Sequence, residues 1–293
     1  MDAIGIDIGG MSAKIGLIRQ EKVLIRETIP TDSNLLYEPF VRDVCTCIGR
    51  LRQQGKVEKI GISSCGLIDS TCGTILYSNN IRWENKKMAP DIAEITGLPV
   101  HIANDAKCAA LAEAVYGAGS PYERMGMITL GTGVGGGFIC HKKLEGGSPY
   151  SDADGIFGHM TVENKGRQCT CGRRGCLEAY ASATAIVKRY TETTGETLTA
   201  KEIFERAGEG RREAVETIEE FRYYLAEGLT NLVNILRPEV IVIGGGVAHS
   251  ADLFLPYVNE YVNNHAYGTY ILPVKIVAAK LGNDAGMIGA ALL

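Results

Sequence analysis

Three glycine-rich turns each follow a short apolar stretch, at residues 7–10, 131–137 and 244–246. Glycine lets backbone N–H groups approach an anion closely and point at it, which is what holding a polyphosphate requires. One such turn is usually only a turn, but three of them, the first with an acid, favour phosphate binding. The turns predict a nucleotide site that includes Gly9, Gly10, Gly131, Thr132, Gly133, Gly245 and Gly246.

Asp7 lies at the end of the first apolar stretch, where a carboxylate is unexpected. Carboxylate oxygen suits Mg²⁺, so Asp7 is predicted to serve the Mg²⁺ of a bound nucleotide, as a ligand or through its hydration shell. The alternative is an acidic turn residue that hydrogen-bonds its own backbone, which the apolar flanks disfavour. No Gly-Lys-Ser/Thr follows the glycines, so the chain has no Walker A P-loop.

The glycine turns must be positioned by alternating strands and helices. Strands are predicted at 3–8, 14–19, 22–30, 59–64, 99–103 and 240–243, and helices at 35–54, 105–118 and 215–236. Residues 125–139 repeat the opening order of apolar strand, glycine turn and apolar strand. The pattern predicts a mixed α/β protein of two halves with similar design.

Composition narrows the classes of function. The 293 residues are 45% hydrophobic and carry a formal net charge of −4, without a Lys/Arg run, so neither nucleic acid nor a membrane surface is an expected partner. No stretch has the length of a signal peptide core or a membrane span, so we expect a cytoplasmic protein. In a reducing compartment the nine cysteines are expected to be thiols, metal ligands or small core residues rather than disulfides.

Several motifs together resemble the ROK family of sugar kinases and repressors. They are the N-terminal Asp-x-Gly-Gly, Asn104-Asp105 before a helix, and Gly-Thr-Gly-x-Gly-Gly-Gly at 131–137. Gly158-His159, the run Cys-Thr-Cys-Gly-Arg-Arg-Gly-Cys-Leu-Glu at 169–178, and Leu-Gly-Asn-Asp-Ala-Gly at 281–286 complete the match, which spans nearly the whole chain.

The resemblance implies two actin-like domains of the ribonuclease H-like type, with ATP and sugar in the cleft between them. The N-terminal domain is expected at 1–118, completed by a C-terminal helix at about 282–293. The second domain is expected at 119–281, with a zinc loop at 159–178. A homodimer is also expected from the resemblance.

The same resemblance assigns roles around Asp105. Asp105 matches the catalytic base, which takes the proton of the attacking sugar hydroxyl. Asn104, His159 and Glu178 match residues that bind the sugar. Asn104 and Asp105 are also favoured helix N-caps, and capping is compatible with catalysis.

One imidazole and three thiols, from His159, Cys169, Cys171 and Cys176, form a ligand set that suits tetrahedral Zn²⁺ and leaves no position for a reacting water. We therefore expect a structural zinc that holds the loop carrying Glu178. His159 can serve the metal with one ring nitrogen and the sugar with the other. The alternative, three buried free cysteines, fits poorly with their crowding in a Gly/Arg-rich loop.

Three positions depart from the family pattern. Ile156 stands where family kinases usually have a sugar-binding Glu, so one hydroxyl of the substrate loses a hydrogen-bond acceptor. That change fits a substituted sugar, a β-glucoside such as cellobiose phosphorylated on its 6-hydroxyl, although Ile156 can equally be neutral drift or a damaged site. Met11 and Lys107 replace the common Thr and Asn, with effects that the sequence leaves open.

Other substrates and classes remain as alternatives. A glucokinase, an N-acetylmannosamine kinase or a fructokinase would fit the same motifs. A repressor is disfavoured because the first glycine motif begins at Asp7, which leaves no room before it for a helix-turn-helix domain. A sugar-responsive regulator without catalysis is disfavoured because Asp7, Asp105 and the glycine turns are all present.

Overall fold

The computed structural model describes residues 2–78, 80–144 and 148–293. Over these residues the strands are β1 (Asp2–Ile8), β2 (Ser12–Arg19), β3 (Lys22–Pro30), β4 (Val57–Ser64), β5 (Leu67–Asp69), β6 (Thr74–Ser78), β7 (Trp83–Lys86), β8 (Val100–Asn104), β9 (Arg124–Leu130), β10 (Val134–Cys140), β11 (Lys143–Leu144), β12 (Val240–Gly244) and β13 (Lys275–Ala278).

The α-helices of the same residues are α1 (Tyr37–Arg52), α2 (Met88–Thr96), α3 (Asp105–Val115), α4 (Pro149–Asp152), α5 (Glu178–Ala181), α6 (Ala183–Thr194), α7 (Ala200–Gly208), α8 (Arg212–Leu236), α9 (Leu255–His265) and α10 (Ala285–Leu292). Short 3-10 helices cover Phe157–His159, Gly246–Leu253 and Gly282–Asp284. In this described part of the chain, none of the helices combines the length and the apolarity needed to cross a bilayer.

The chain forms two compact units. The first contains Met1–Ser120, Ile139–Asp154 and Leu281–Leu293, and the second contains Pro121–Phe138 and Gly155–Lys280. The segment Ile139–Asp154 therefore differs from the sequence-based expectation, which placed it in the second domain. The segment begins inside β10, so no break in the sequence pattern marks the point where the chain passes back to the first unit.

The first unit is built on a five-stranded sheet with the order β3-β2-β1-β4-β8. Strands β1, β2 and β3 are antiparallel neighbours, whereas β1, β4 and β8 are parallel. The alternation along β1 sends Ile4, Ile6 and Ile8 into the core that α1 covers, and Ala3 into the packing against α10. A small sheet of order β5-β6-β7 completes this unit.

Helix α10 packs directly on the backbone of the first sheet, and glycine makes this approach possible. A Cβ atom on Gly5 would lie 2.1 Å from the carbonyl oxygen of Met287, and one on Gly61 would lie 1.7 Å from that of Ala290. No real Cβ tolerates such distances, so the helix has its place only because β1 and β4 each carry a glycine there.

Gly61→Ala is therefore expected to destabilise the protein by about 3 kcal/mol, the upper end of the usual range for overpacking a core. Gly49→Ala is the matched control, because the position lies in α1 with no atom within 4 Å of an added Cβ. Urea unfolding should show a lower midpoint for the first variant and an equal or higher midpoint for the second. Equal midpoints for wild type and Gly61→Ala would contradict the close packing of α10.

The second unit has a sheet in the order β11-β10-β9-β12-β13, in which β9, β12 and β13 are parallel. Helix α8 covers it with an apolar face that includes Phe221, Leu225 and Leu229, packed in one core with Ile241 and Ile243. The two five-stranded sheets share one topology. In each, the next two strands of the sheet along the chain lie on one side of its first strand, and the last two, which are parallel to the first, lie on the other side. This confirms the predicted similarity of the two halves.

Candidate functional site

The carboxyl ends of β1, β4 and β8 lie at one edge of the first sheet, because the three strands are parallel. The register pairs Asp7 with Ser63, and Ser64 with Asn104. Asp105 follows as the first residue of α3. Residues far apart in the sequence are thus brought to one edge, where α/β folds commonly bind ligands.

Asp7 is held in place by polar contacts at this edge. Ser63 Oγ donates to Asp7 Oδ1 at 2.7 Å, and Lys14 Nζ lies 3.9 Å from Oδ2. Burial raises the pKa of the Asp7 carboxyl above its ordinary value. A Cβ on Gly286, in the first turn of α10, would come within 2.6 Å of Oδ1, so a larger residue at this position would displace the Asp7 carboxyl group. Ser63 was not predicted as a site residue, although a pair of serines at the end of a buried strand is a visible signal in the sequence.

Asn104 is the N-cap of α3, as its residue type predicts. Its Oδ1 accepts hydrogen bonds from the backbone N–H groups of Ala106 at 3.0 Å and Lys107 at 3.4 Å. Its Nδ2 donates to the carbonyl of Gly66 at 3.1 Å. These bonds fix the orientation of the amide and of the first turn of the helix.

The side chain of Asp105 is open to solvent, yet protein atoms crowd around its carboxyl group. This crowding raises the pKa of Asp105, and the negative charge of Asp7 raises it further. The N–H of Ala106 acts in the opposite direction, since it donates to Asp105 Oδ1 at 2.9 Å. The arrangement provides a fixed carboxylate of increased basicity, the property expected of a general base.

The first glycine turn uses part of its own hydrogen-bonding capacity. The Gly9 N–H donates to the carbonyl of Ser12 at 3.0 Å, and Thr31 Oγ1 donates to the Gly9 carbonyl at 2.7 Å. The side chain of Met11 is 88% exposed and does not belong to the core. The Gly9 donor is therefore already occupied within the turn, and the phosphate contacts of Gly9 and Gly10 stay predictions.

The second glycine turn, in the second unit, also uses one of its own N–H groups inside the turn. The Gly131 N–H donates to the Gly133 carbonyl at 3.0 Å, so a phosphate contact there falls to the amides of Thr132 and Gly133. A Cβ on Gly131 would meet no atom within 4 Å, whereas one on Gly133 would lie 2.5 Å from Glu178 Oε2. The turn therefore presents an open side over Gly131.

The third turn follows β12. Gly245 has a φ of +83°, and an added Cβ would lie 2.4 Å from the carbonyl oxygen of Leu130. Gly246, which begins the next 3-10 helix, has open space instead. Only glycine fits at 245, and the backbone at 246 is accessible to a ligand.

Glu178 joins the second glycine turn to the cysteine loop. Its Oε2 accepts the Val134 N–H at 3.1 Å, and its Oε1 accepts the Thr170 hydroxyl at 2.8 Å. The family resemblance implied a sugar contact for Glu178, but the sequence gave no sign of this bridging contact. A carboxylate can accept about four hydrogen bonds, so the bridge leaves capacity for a further donor.

The cluster of His159, Cys169, Cys171 and Cys176 has the geometry of a metal site. Its four candidate ligand atoms all lie within 4.8 Å of one another. Cys171 Sγ and Cys176 Sγ are 3.7 Å apart, and Cys169 Sγ lies 3.6 Å from His159 Nδ1. Zinc bonds of about 2.3 Å to sulfur and about 2.0 Å to nitrogen give tetrahedral edges of about 3.8 and 3.5 Å, so the residues fit this metal.

The loop around the cluster is built to hold these four side chains. Thr161 and Cys176 form an antiparallel bridge, and the Cys169 N–H donates to the Arg173 carbonyl at 2.9 Å. A backbone N–H at Arg173 lowers the pKa of the Cys171 thiol, which favours the thiolate that a metal binds. The cysteines are free thiols rather than disulfides.

Ile156 precedes the 3-10 helix that ends at His159 and is 54% exposed. It lines a cavity of about 430 Å³ together with Phe157, His159, Met160, Arg173 and three α8 residues, Leu232, Ile235 and Leu236. The position where the resemblance expects an acid therefore presents a methyl-rich surface beside the imidazole of the metal cluster.

Comparison with known proteins decides the family. The family model described as "ROK family" matches residues 3–293. The chain belongs to the ROK family. Among ROK proteins, a glucokinase of Thermotoga maritima is 33% identical over 98% of this chain and 95% of its own length.

Solved ROK structures share the fold. A glucokinase of Streptomyces griseus in complex with glucose and AMPPNP superposes with a TM-score of 0.84 at 31% identity, covering 99% of this chain and 98% of that one. A ROK hexokinase of Thermus thermophilus superposes with a TM-score of 0.86 at 29% identity, covering 100% and 97%. The predicted actin-like α/β fold is thereby confirmed.

Proposed function

We propose that this protein is an ATP-dependent sugar kinase that transfers the γ-phosphate to the 6-hydroxyl of a glucose unit. The observation that carries the proposal is the placement of Asp105 and Asp7 at one sheet edge, with Asp105 fixed at the start of α3 and raised in pKa. Membership of the ROK family and the glucokinase relatives support the same activity.

In this proposal the ionised Asp105 accepts the proton of the attacking hydroxyl, and Asn104 orients the neighbouring hydroxyls. The amides of Gly10, Thr132, Gly133 and Gly246 are proposed to hold the phosphates, and open space lies over Gly246. Asp7 serves Mg²⁺, a hard cation that suits carboxylate oxygen and neutralises phosphate charge when bound.

The cysteine cluster is proposed to hold a structural zinc through His159 Nδ1 and the three thiolates. Such a metal would fix the loop that leads to Glu178, and the second ring nitrogen of His159 would be left for the sugar. The donor set and the tetrahedral edge lengths support this assignment.

Glucose is the first candidate substrate, because the relatives reported above include glucokinases. A β-glucoside such as cellobiose is the second candidate, and the observation that favours it is Ile156. An exposed apolar side chain there cannot accept a hydrogen bond from a free hydroxyl. A sugar with a substituent at that ring position would therefore lose no hydrogen bond to this residue.

A coupled ATP-consumption assay with Mg²⁺ tests both levels of the proposal. We would compare kcat/KM for glucose, N-acetylmannosamine, fructose, cellobiose and gentiobiose. Turnover of any of them supports the kinase, and the order of kcat/KM identifies the sugar. No turnover with any sugar would overturn the kinase assignment and favour a sugar-responsive regulator.

Ile156→Glu tests the role of the apolar side chain, with Ile156→Val as the matched control. If Ile156 relaxes the demand for one hydroxyl, the Glu variant should lower kcat/KM for cellobiose relative to glucose by about 10-fold or more, since sites built to bond a hydroxyl discriminate strongly. The Val variant should leave the ratio unchanged. An unchanged ratio in both variants would make Ile156 a bystander.

A further inference from the structure

Helix α3, which begins with Asp105, carries two charged side chains that are buried. Lys107 is 5% exposed and Glu113 is 0% exposed. Taking a charge out of water is unfavourable unless partners compensate for the lost hydration. The partners that these two residues have should therefore show what their charges do.

Glu113 binds two backbone amides from distant parts of the chain. Its Oε2 accepts the Ala118 N–H at 2.7 Å, and its Oε1 accepts the Leu281 N–H at 2.7 Å. A Cβ on Gly117 would lie 1.9 Å from Oε2, so the residue beside the carboxylate must be glycine. The carboxylate thus joins the end of α3 to the segment that enters α10.

Lys107 forms an ion pair with Asp154. The lysine side chain is 7% exposed and the aspartate side chain 48% exposed, so the pair runs from the interior of the first unit to its surface. The sequence left open whether Lys107 faces outward. The structure shows that it faces inward.

The partners lie where the chain changes from one unit to the other. The chain leaves the first unit after Ser120 and after Asp154, and it returns to that unit at Ile139 and at Leu281. Asp154 and Leu281 are themselves the residues at two of these crossings, and Ala118 is two residues from a third. Lys142, just after another crossing, donates from Nζ to the Ser120 carbonyl at 2.8 Å.

Helix α3 is held in place at its packing surface and at its first turn. An added Cβ on Gly289 would lie 1.7 Å from the Cys108 carbonyl, so α3 and α10 are in backbone contact. The Asn104 cap closes the first turn. Lys107 lies in the same helical turn as Asp105, so the ion pair that holds Lys107 also constrains the turn that carries the carboxylate.

We propose that Lys107 and Glu113 are positioning residues, which tie the crossing segments at 118–120, 154 and 281 to the helix that carries Asp105. The course of the chain at these crossings then sets the position of the carboxylate. This inference rests on the proposed kinase function, in which Asp105 is the base.

Lys107→Met tests the inference by its effect with and without Asp105. In the wild-type background kcat should fall about 10-fold to 100-fold, since a misplacement near 1 Å has effects of that size. In the Asp105→Asn background Lys107→Met should change kcat little, because a residue that acts through Asp105 has nothing left to position. Lys188→Met, which removes the exposed ion pair with Glu192 on α6, is the matched control and should leave kcat unchanged.

Asp154→Asn and Glu113→Gln guard against a Lys107 variant that does not fold. Asp154→Asn changes the exposed partner and should also lower kcat only when Asp105 is present. Glu113→Gln replaces one carboxylate oxygen by an NH₂ group, so one of the two backbone N–H groups loses its acceptor. This variant should also lower kcat only when Asp105 is present.

Equal losses with and without Asp105, or a wild-type kcat in folded variants, would overturn the positioning role and leave the kinase standing. A wild-type enzyme that phosphorylates no sugar would overturn the kinase and this inference together.

Discussion

Replacing Asp105 by asparagine is expected to lower kcat for sugar phosphorylation by about 10²-fold to 10⁴-fold, the usual contribution of a positioned base. The asparagine keeps an acceptor for the Ala106 N–H that Asp105 Oδ1 now receives, so the start of α3 should stay folded. The coupled assay at saturating ATP and sugar gives kcat. Circular dichroism and the melting temperature report on the fold.

The pH dependence of the wild-type enzyme gives a second signature of Asp105. A base must be ionised to accept a proton, so kcat/KM falls as pH drops through its pKa. Because the pKa of Asp105 is raised above 3.8, this fall should begin at a higher pH than for an ordinary aspartate. The Asp105→Asn variant should lack this acidic limb.

Asp43→Asn, an exposed change on α1, is the control and should keep both the rate and the limb. Full activity of the Asp105→Asn variant would show that another group takes the proton.

Cys176→Ala is expected to remove the metal. Wild-type protein purified without chelator should contain about one zinc per chain, and the variant close to none, because a structural site rarely holds zinc with three ligands. The side chain is fully buried, and the bridge between Thr161 and Cys176 is made by the backbone. The loss should therefore reflect the missing ligand. Metal content is measured by mass spectrometry.

Loss of zinc should also weaken ATP use. Glu178 connects Thr170 of the cysteine loop to the Val134 amide of the second glycine turn, so a loosened loop releases one support of that turn. We expect a higher KM for ATP and a lower melting temperature. Cys72→Ala, an exposed cysteine outside the cluster, is the matched control. Wild-type protein without zinc would eliminate the site.

Most of the fold was predictable because local signals were strong. The period-2 pattern before Gly9 and the glycine spacing predicted β1 and β2, and the helical spacing up to Leu236 predicted α8. The sheet of β5, β6 and β7 was not predicted, since its strands have only three, five and four residues. Long-range packing cannot be read from local patterns, and for that reason the segment Ile139–Asp154 was assigned to the other half.

The candidate site was predictable in its residue types but not in its contacts. Motifs pointed to Asp7, Asp105 and the four candidate metal ligands, and these four ligand atoms do lie within 4.8 Å of one another. The occupied amides of Gly9 and Gly131 were not foreseen, because hydrogen bonds inside a turn depend on backbone angles that a glycine-rich sequence leaves undetermined. Nor did the sequence indicate that Lys107 is buried, since lysine in a helix usually points to solvent.

The two sheets share one topology, yet their edges are equipped differently, and this difference should appear as two kinds of mutational tolerance. At the first edge, the proposed roles of Asp7 and Asp105 belong to their carboxylates, so the isosteric replacement by asparagine should fail at both positions. At the second, Gly245 has a φ of +83° and a backbone carbonyl oxygen 2.4 Å from an added Cβ, so every replacement there should fail whatever its chemistry. A saturation library selected for sugar phosphorylation should therefore reject asparagine at Asp7 and Asp105 because it lacks the charge, and reject every side chain at Gly245 because of its volume.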